Sequence, residues 1–217
     1  MAGPAATERV NLTAPHTRIC KGKRGRDWIQ GDDLVITVGA RQIILAGQLT
    51  DTGTDQGALH PSLHTARTNC DTAGIHDRMR AHLADAGFAS EATFATPTEG
   101  ILLVSTTAEA THTQTPTSTT DQTPITPGPN WHAMRQRTTN PAGKNLYRHR
   151  PAMVEPAFAQ LFNPGGRRLH LRGPTRHTEI TLMIASHNAG KYLHSDPRTR
   201  HQHPPPATLL TTHTNNP

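Results

Sequence analysis

Aromatic residues are scarce in this 217-residue chain: two Trp, two Tyr and four Phe make up 4% of it, and only 33% of the residues are hydrophobic. That share is low for a compact domain of this length, so the core is expected to be small and part of the chain to lie outside it. Cysteine is almost missing. Cys20 and Cys70 have no second cysteine at metal-clip or redox spacing, which excludes a disulfide framework and points to two free thiols in a reducing compartment. No run of about eighteen apolar residues occurs, and "MAGPAATERV" lacks the apolar stretch of a signal peptide, so no membrane is expected and the location is read as cytoplasmic. Lysine is scarce too: four of the 22 basic residues are Lys, and the other 18 are Arg.

What is present is positive charge. A net +6 and a pI near 10.0 favour an anionic partner, with DNA foremost, although a GC-rich genome yields the same excess of Arg, Ala, Thr and Pro unaided. Histidine is plentiful but scattered. None of the fifteen stands in a zinc-site spacing, and Gly165-Gly166 is not followed by the Lys-Ser/Thr of a phosphate loop.

Periodicity divides the chain. In "DDLVITVGARQIILAGQLT" (32–50) two apolar, β-branched runs break at Gly39-Ala40, which predicts a hairpin. Leu59, Leu63 and Ala66 at i, i+4, i+7 predict a helix ended by Gly74. A strand is expected around Met79–Ala84, then a turn at Asp85-Ala86-Gly87, a helix opening near Ser90, and a strand in "GILLVST" (100–106). Residues 107–130 are rich in Thr and Pro with almost no apolar mass, and are expected to be a disordered linker. Val154, Phe158, Leu161 and Phe162 then form one stripe of an amphipathic helix, in which Pro156 must lie in the first turn or produce a kink. A second helix is predicted over 178–193. The expected organisation is a disordered start (1–9), a first domain part (10–106), the linker (107–130), a second domain part (131–193) and a disordered tail (194–217).

Two carboxylates stand out in this order. Asp85 follows a strand, and Glu155 sits among Met153, Val154, Pro156, Ala157 and Phe158, an unusual setting for a surface charge. A carboxylate at a strand end can share a cation with one from a neighbouring helix, and hard Mg²⁺ wants oxygen ligands of this kind. The plainer alternatives are a turn aspartate for Asp85 and a first-turn glutamate favoured by the helix dipole for Glu155. Asp32 and Asp33 are expected to be a solvated loop pair, with substitution for a missing ligand as the alternative.

At the same residues the sequence resembles the bacterial insertion-sequence transposases of the DDE class. "HLADAGFASEATF" (82–94) is similar to their L-A-D-A-G-Y-x-S-E segment, and "LYRHRPAMVEPAFAQLF" (146–162) to their Y-x-x-R…V-E-P-x-F-x-Q segment. "GRRLHLRGPTRHTEITLMIASHNAGKYL" resembles the close of that domain, and "VNLTAPHTRICKGKRGRDWIQGDD" the stretch that introduces it. The resemblance covers roughly 10–106 and 132–193. It implies an α/β fold, an RNase H-like mixed sheet with flanking helices, incomplete at its N-terminal side. It also implies DNA transposition by metal-dependent phosphodiester cleavage and strand transfer with Mg²⁺ or Mn²⁺, and association with the nucleoid. Asp85 and Glu155 take the places of the second and third metal-binding, catalytic acids. Tyr147, Arg148 and Arg150, with Arg167, Arg168 and Arg172 of the basic loop, are expected at the DNA backbone. For His187 and Asn188 a structural role is expected.

The departures matter as much. The strand carrying the first acid should precede the introducing segment, and the chain starts about ten residues before it; Ala14-Pro15-His16 replaces D-P-D, Gly31-Asp32-Asp33 replaces G-Y-N, and Phe162 stands where a lysine is common. A truncated, inactive remnant is therefore expected. The alternative is a non-catalytic DNA-binding or regulatory fragment that inhibits an intact transposase, by joining its oligomer or through one of its own.

Overall fold

The computed structural model describes residues 18–21, 28–50, 55, 57–106, 127–163, 169–195 and 209–215, the first of these up to 31 and the last seven by their backbone alone. Two short strands, β1 (Arg18–Lys21) and β2 (Trp28–Gly31), form an antiparallel ribbon. The hairpin predicted in 32–50 forms as β3 (Asp33–Val38) and β4 (Ile44–Thr50), joined through a 3-10 turn in which Arg41 and Gln42 hold positive φ. Helix α1 (Leu59–Thr72), β5 (Ala81–Ala84), α2 (Glu91–Ala95) and β6 (Ile101–Val104) follow. Then come α3 (Pro129–Thr139), α4 (Pro141–Tyr147), α5 (Arg150–Phe162), α6 (Thr175–Leu193) and a further strand, β7 (Leu209–Asn215).

The protein is an α/β fold in three layers. One sheet runs in the order β4-β3-β7-β5-β6; β3 is antiparallel to β4 and β7, and β5 is parallel to β7 and β6. Alternation along β3 dictates the layers, because successive side chains of a strand leave opposite faces. Leu34, Ile36 and Val38 pack with Ile44, Val154, Phe158, Leu161 and Ile180, which brings α5 and α6 to one face. Val35 turns the other way, into a cluster with Leu59, Leu63, Phe88, Val104 and Met134, which brings α1 and α3 to the second face. On that second face Thr37 is buried, and its hydroxyl is satisfied by Ser62 of α1 at 2.7 Å.

Two glycines lie against close neighbours. A Cβ on Gly47 of β4 would meet the terminal Cδ1 of Ile184, so the α6 side chain would have to turn aside to admit one. Gly100 holds φ +78 and faces the carbonyls of Met79 and Arg80, a position closed to any L side chain.

Several expectations need correction. Residues 209–215, expected in a disordered tail, form β7 in the middle of the sheet: backbone hydrogen bonds to two strands stabilise a segment whose side chains are mostly polar. Helix α3 starts at Pro129, two residues inside the expected linker, because Pro fits a first helical turn and loses no intrahelical bond there. The same logic applies to α5. Pro151 lies in its first turn, so the helix begins at Arg150, and Pro156 is interior rather than first-turn. Asp32 and Asp33 are not a solvated loop pair: Asp32 is ion-paired with Arg176 at 3.1 Å, with only 6% of its side chain exposed, and Asp33 opens β3. The expected disordered start (1–9) and residues 107–126 of the linker lie outside the described residues.

Candidate functional site at the end of strand β5

In the run "HLADAGFASE" five of the ten side chains have a definite role. His82 is buried in β5 and bonds the carbonyl of Glu99 through Nε2; burial holds its pKa below the usual imidazole value. Asp85 ends the strand in extended conformation and caps the following 3-10 turn (Ala86–Phe88), accepting from the Ala86 N–H at 2.8 Å. Phe88 is fully buried in the core. Ser90 caps α2, accepting from the Thr93 N–H at 3.0 Å. Glu91 reaches across to α3, where its carboxylate accepts from the N–H groups of Asn130 at 2.8 Å and Trp131 at 3.0 Å, favourable for an anion at a helix N-terminus. The Phe94 and Trp131 rings, 5.4 Å apart, complete that joint.

The second segment, "YRHRPAMVEPAFAQLF", meets the first at Asp85. Tyr147 donates its hydroxyl to the Ala84 carbonyl at 2.9 Å, and burial raises its phenol pKa. Arg150 is one residue of α5 turned inward rather than out; its Nη2 lies 2.7 Å from Asp85 Oδ2. The guanidinium is only 10% exposed and the carboxylate 33%, so a partly buried ion pair ties the start of α5 to the end of β5.

Glu155 stands elsewhere on the same helix. Five residues beyond Arg150, it is displaced by about 7.5 Å along the axis and is rotated well away from Arg150's direction. Its side chain is exposed, in the second turn and not the first, so the dipole explanation does not apply to it. Its neighbours Val154, Ala157 and Phe158 are buried because they face the sheet, and Glu155 follows the apolar stripe without belonging to it.

A further acidic group lies at the opening of β3. Asp33 has its pKa pushed up to about 6, by burial first and then by the carboxylates of Asp55 and Asp32. Asp55 itself lies against Gly87, where a Cβ would strike its carboxylate, so these acids border the Asp85 turn.

A shared Mg²⁺ does not fit this arrangement as it stands. One oxygen of Asp85 holds Arg150 and the other the Ala86 N–H, and among the described residues no three His, Cys, Asp or Glu side chains are grouped to hold a metal ion. Of the residues expected at DNA, Tyr147 and Arg150 are engaged within the protein, Arg148 and Arg172 are exposed, and Arg167 and Arg168 lie outside the described residues.

The "SHNAGK" segment of α6 clasps the hairpin. Asn188 donates from Nδ2 to the Ile44 carbonyl at 2.8 Å and accepts the Ile44 N–H at 2.9 Å, standing in for a neighbouring strand at the edge of the sheet. His187 Nε2 bonds the Gln42 carbonyl at 2.8 Å, and Lys191 Nζ donates to the Gln42 side chain at 2.5 Å. Phe162, in the place of a common lysine, lies beside Phe158 with the rings nearly parallel at 6.2 Å. Residues that sequence patterns missed are Glu91, as the fastening for α3, and Arg176, as the partner of Asp32; a lone Arg in the first turn of a helix carries no such signal. Among the described residues, no helix is long and apolar enough to cross a membrane, and Cys70 is a free, buried thiol. No family model, no curated protein and no solved structure matches this chain.

Proposed function

We propose that this chain is an RNase H-like domain of insertion-sequence transposase ancestry which has lost strand cleavage and retains contact with DNA. The observation that carries the proposal is the meeting at Asp85: the two segments that resemble that family most closely, 63 residues apart at Tyr147 and Ala84, are joined by Tyr147 on the Ala84 carbonyl and Arg150 on Asp85. A sheet with one antiparallel hairpin, then a central strand, then two parallel strands supports the same ancestry.

The loss of chemistry is argued from the partners of Asp85. A carboxylate that grips a cation must present lone pairs to it, whereas one oxygen of Asp85 is turned to the Arg150 guanidinium and the other to the Ala86 N–H. Strand β7, which fills the centre beside β5, contains no Asp or Glu in "LLTTHTN". We therefore assign Asp85 and Glu155 the places of former Mg²⁺ or Mn²⁺ ligands, with Asp85 now a structural anchor. DNA contact is assigned to exposed Arg148 and Arg172 on a chain of net charge +6. That charge also favours the regulatory alternative, in which the domain occupies element DNA, or an intact transposase, without cutting.

Purified protein is expected to leave supercoiled DNA intact with Mg²⁺ or Mn²⁺. Nicking that requires Mn²⁺ and disappears in Glu155→Gln, an exposed position whose change spares the fold, would overturn the inactive assignment. DNA retention should weaken steeply from low to moderate salt, and Arg148→Ala with Arg172→Ala should weaken it further at low salt. Retention that ignores salt would refute the phosphate contact.

A further inference from the structure

Strand β7 reaches the middle of the sheet from the far end of the chain. Residues Leu34–Val38 of β3 lie opposite Asn215–Thr211 in antiparallel register, and Ala81–Ala84 of β5 run parallel to Leu209–Thr212. Both backbone edges of β7 are therefore engaged. Without it, β3 and β5 would face each other across an open slot in the centre of the sheet, each with a row of unpaired N–H and C=O groups.

Three features set β7 apart from the other strands. It packs on β3, β5 and α5, all remote from it in the chain. Its sequence has leucine only at 209 and 210 and is polar from Thr211 onward, whereas strands flanked on both sides are usually continuous apolar runs. Its hold on the slot therefore rests chiefly on backbone hydrogen bonds, which do not depend on which molecule donates the strand. Thirteen residues, 196–208, separate it from Ser195, two residues past the end of α6 at Leu193. A chain of that length can extend about 40 Å, enough to reach the sheet of an adjoining molecule.

We propose that the slot between β3 and β5 is a strand-accepting groove and that its occupant exchanges between molecules: residues 209–215 of a second copy enter it in the same register, giving an exchanged dimer. Each sheet is then completed by its partner. Because the seat is the same in both forms, the balance between them follows protein concentration and the effective concentration set by the connecting segment. The Asp85 end of each sheet is then bordered by the final residues of the other copy.

The test uses the full chain. Val35 and Thr214 are backbone partners in the β3–β7 register. Val35→Cys and Thr214→Cys are placed on separate molecules in a Cys20→Ser, Cys70→Ser background, mixed, and oxidised mildly at increasing concentration. A disulfide-linked heterodimer whose yield rises with concentration is expected; no heterodimer at any concentration, while the doubly substituted chain closes an internal disulfide, overturns the exchange. Absence of both links overturns the slot itself. A second readout avoids altering the protein: a fluorescent peptide of residues 205–217 should be taken up by the unmodified chain, displaced by unlabelled peptide and not by one carrying Thr212→Pro, since proline cannot donate to the ladder. No uptake, or equal displacement by the proline peptide, counts against the proposal.

Discussion

Asp85 shows how one side chain can be held by two neighbours at once. It accepts the Ala86 N–H and the Arg150 guanidinium, and Arg150 has little contact with water that would compensate for loss of the carboxylate. Asp85→Ala leaves a buried cation and an uncapped turn, so a loss on the order of 2 kcal/mol is expected, reduced from the fully buried case because the carboxylate is one-third exposed. Arg150→Met should cost less, since methionine fills the space and the carboxylate can turn to solvent; chemical denaturation of the two variants checks the order. Asn188 is the second sensitive residue. Removing its carboxamide strands both the N–H and the carbonyl of Ile44, and Asn188→Ala is expected to cost about 2 kcal/mol, with Asn188→Asp recovering only the accepting half.

At the scale of elements, α3 is fastened by Glu91 and the Phe94–Trp131 contact, on the far side of a long segment from α2. Glu91→Ala is expected to lower stability by about 1 kcal/mol and to speed amide exchange selectively in the first turn of α3. Uniform exchange across the fold in that variant would show that α3 does not open by itself. Most elements are legible from sequence for physical reasons that act locally. The Leu59, Leu63, Ala66 spacing marks α1, and Gly74 past its end holds φ +74. Ser90 marks the start of α2 as its N-cap. The apolar stripe of α5 is read correctly, and of the two positions open to Pro156 the interior one is found, because Pro151, five residues earlier, occupies the first turn.

At the scale of the whole molecule, acidic groups gather at the opening of β3, and the burial of Asp33, with added repulsion from Asp55 and Asp32, has a pH signature. The folded pKa of Asp33, about 6, lies above its ordinary value of 3.8, so the native state binds a proton that the unfolded chain has already released in that interval. Stability contributed by this group is therefore greatest below pH 4, falls as pH rises from 4 to 6, and is level above that. Asp33→Asn is expected to be more stable than the parent chain above pH 6, with the difference vanishing near pH 4. Thermal unfolding of both proteins across this range checks the sign. A difference independent of pH would mean that Asp33 titrates normally.

Sequence alone determined the basic charge, the scarcity of apolar residues, the strand and helix periods of the main elements and the caps at Gly74 and Ser90, because each is written in the composition or in the spacing of neighbours within a few turns of chain. Tertiary structure decided who sits beside Asp85, that Asp32 faces Arg176, that Glu155 points outward, and that a polar C-terminal segment occupies the centre of the sheet. Those outcomes depend on contacts between residues far apart in the chain, and, for β7, on backbone hydrogen bonds that every residue but proline can make. Such bonds leave no mark on the side chains that carry them.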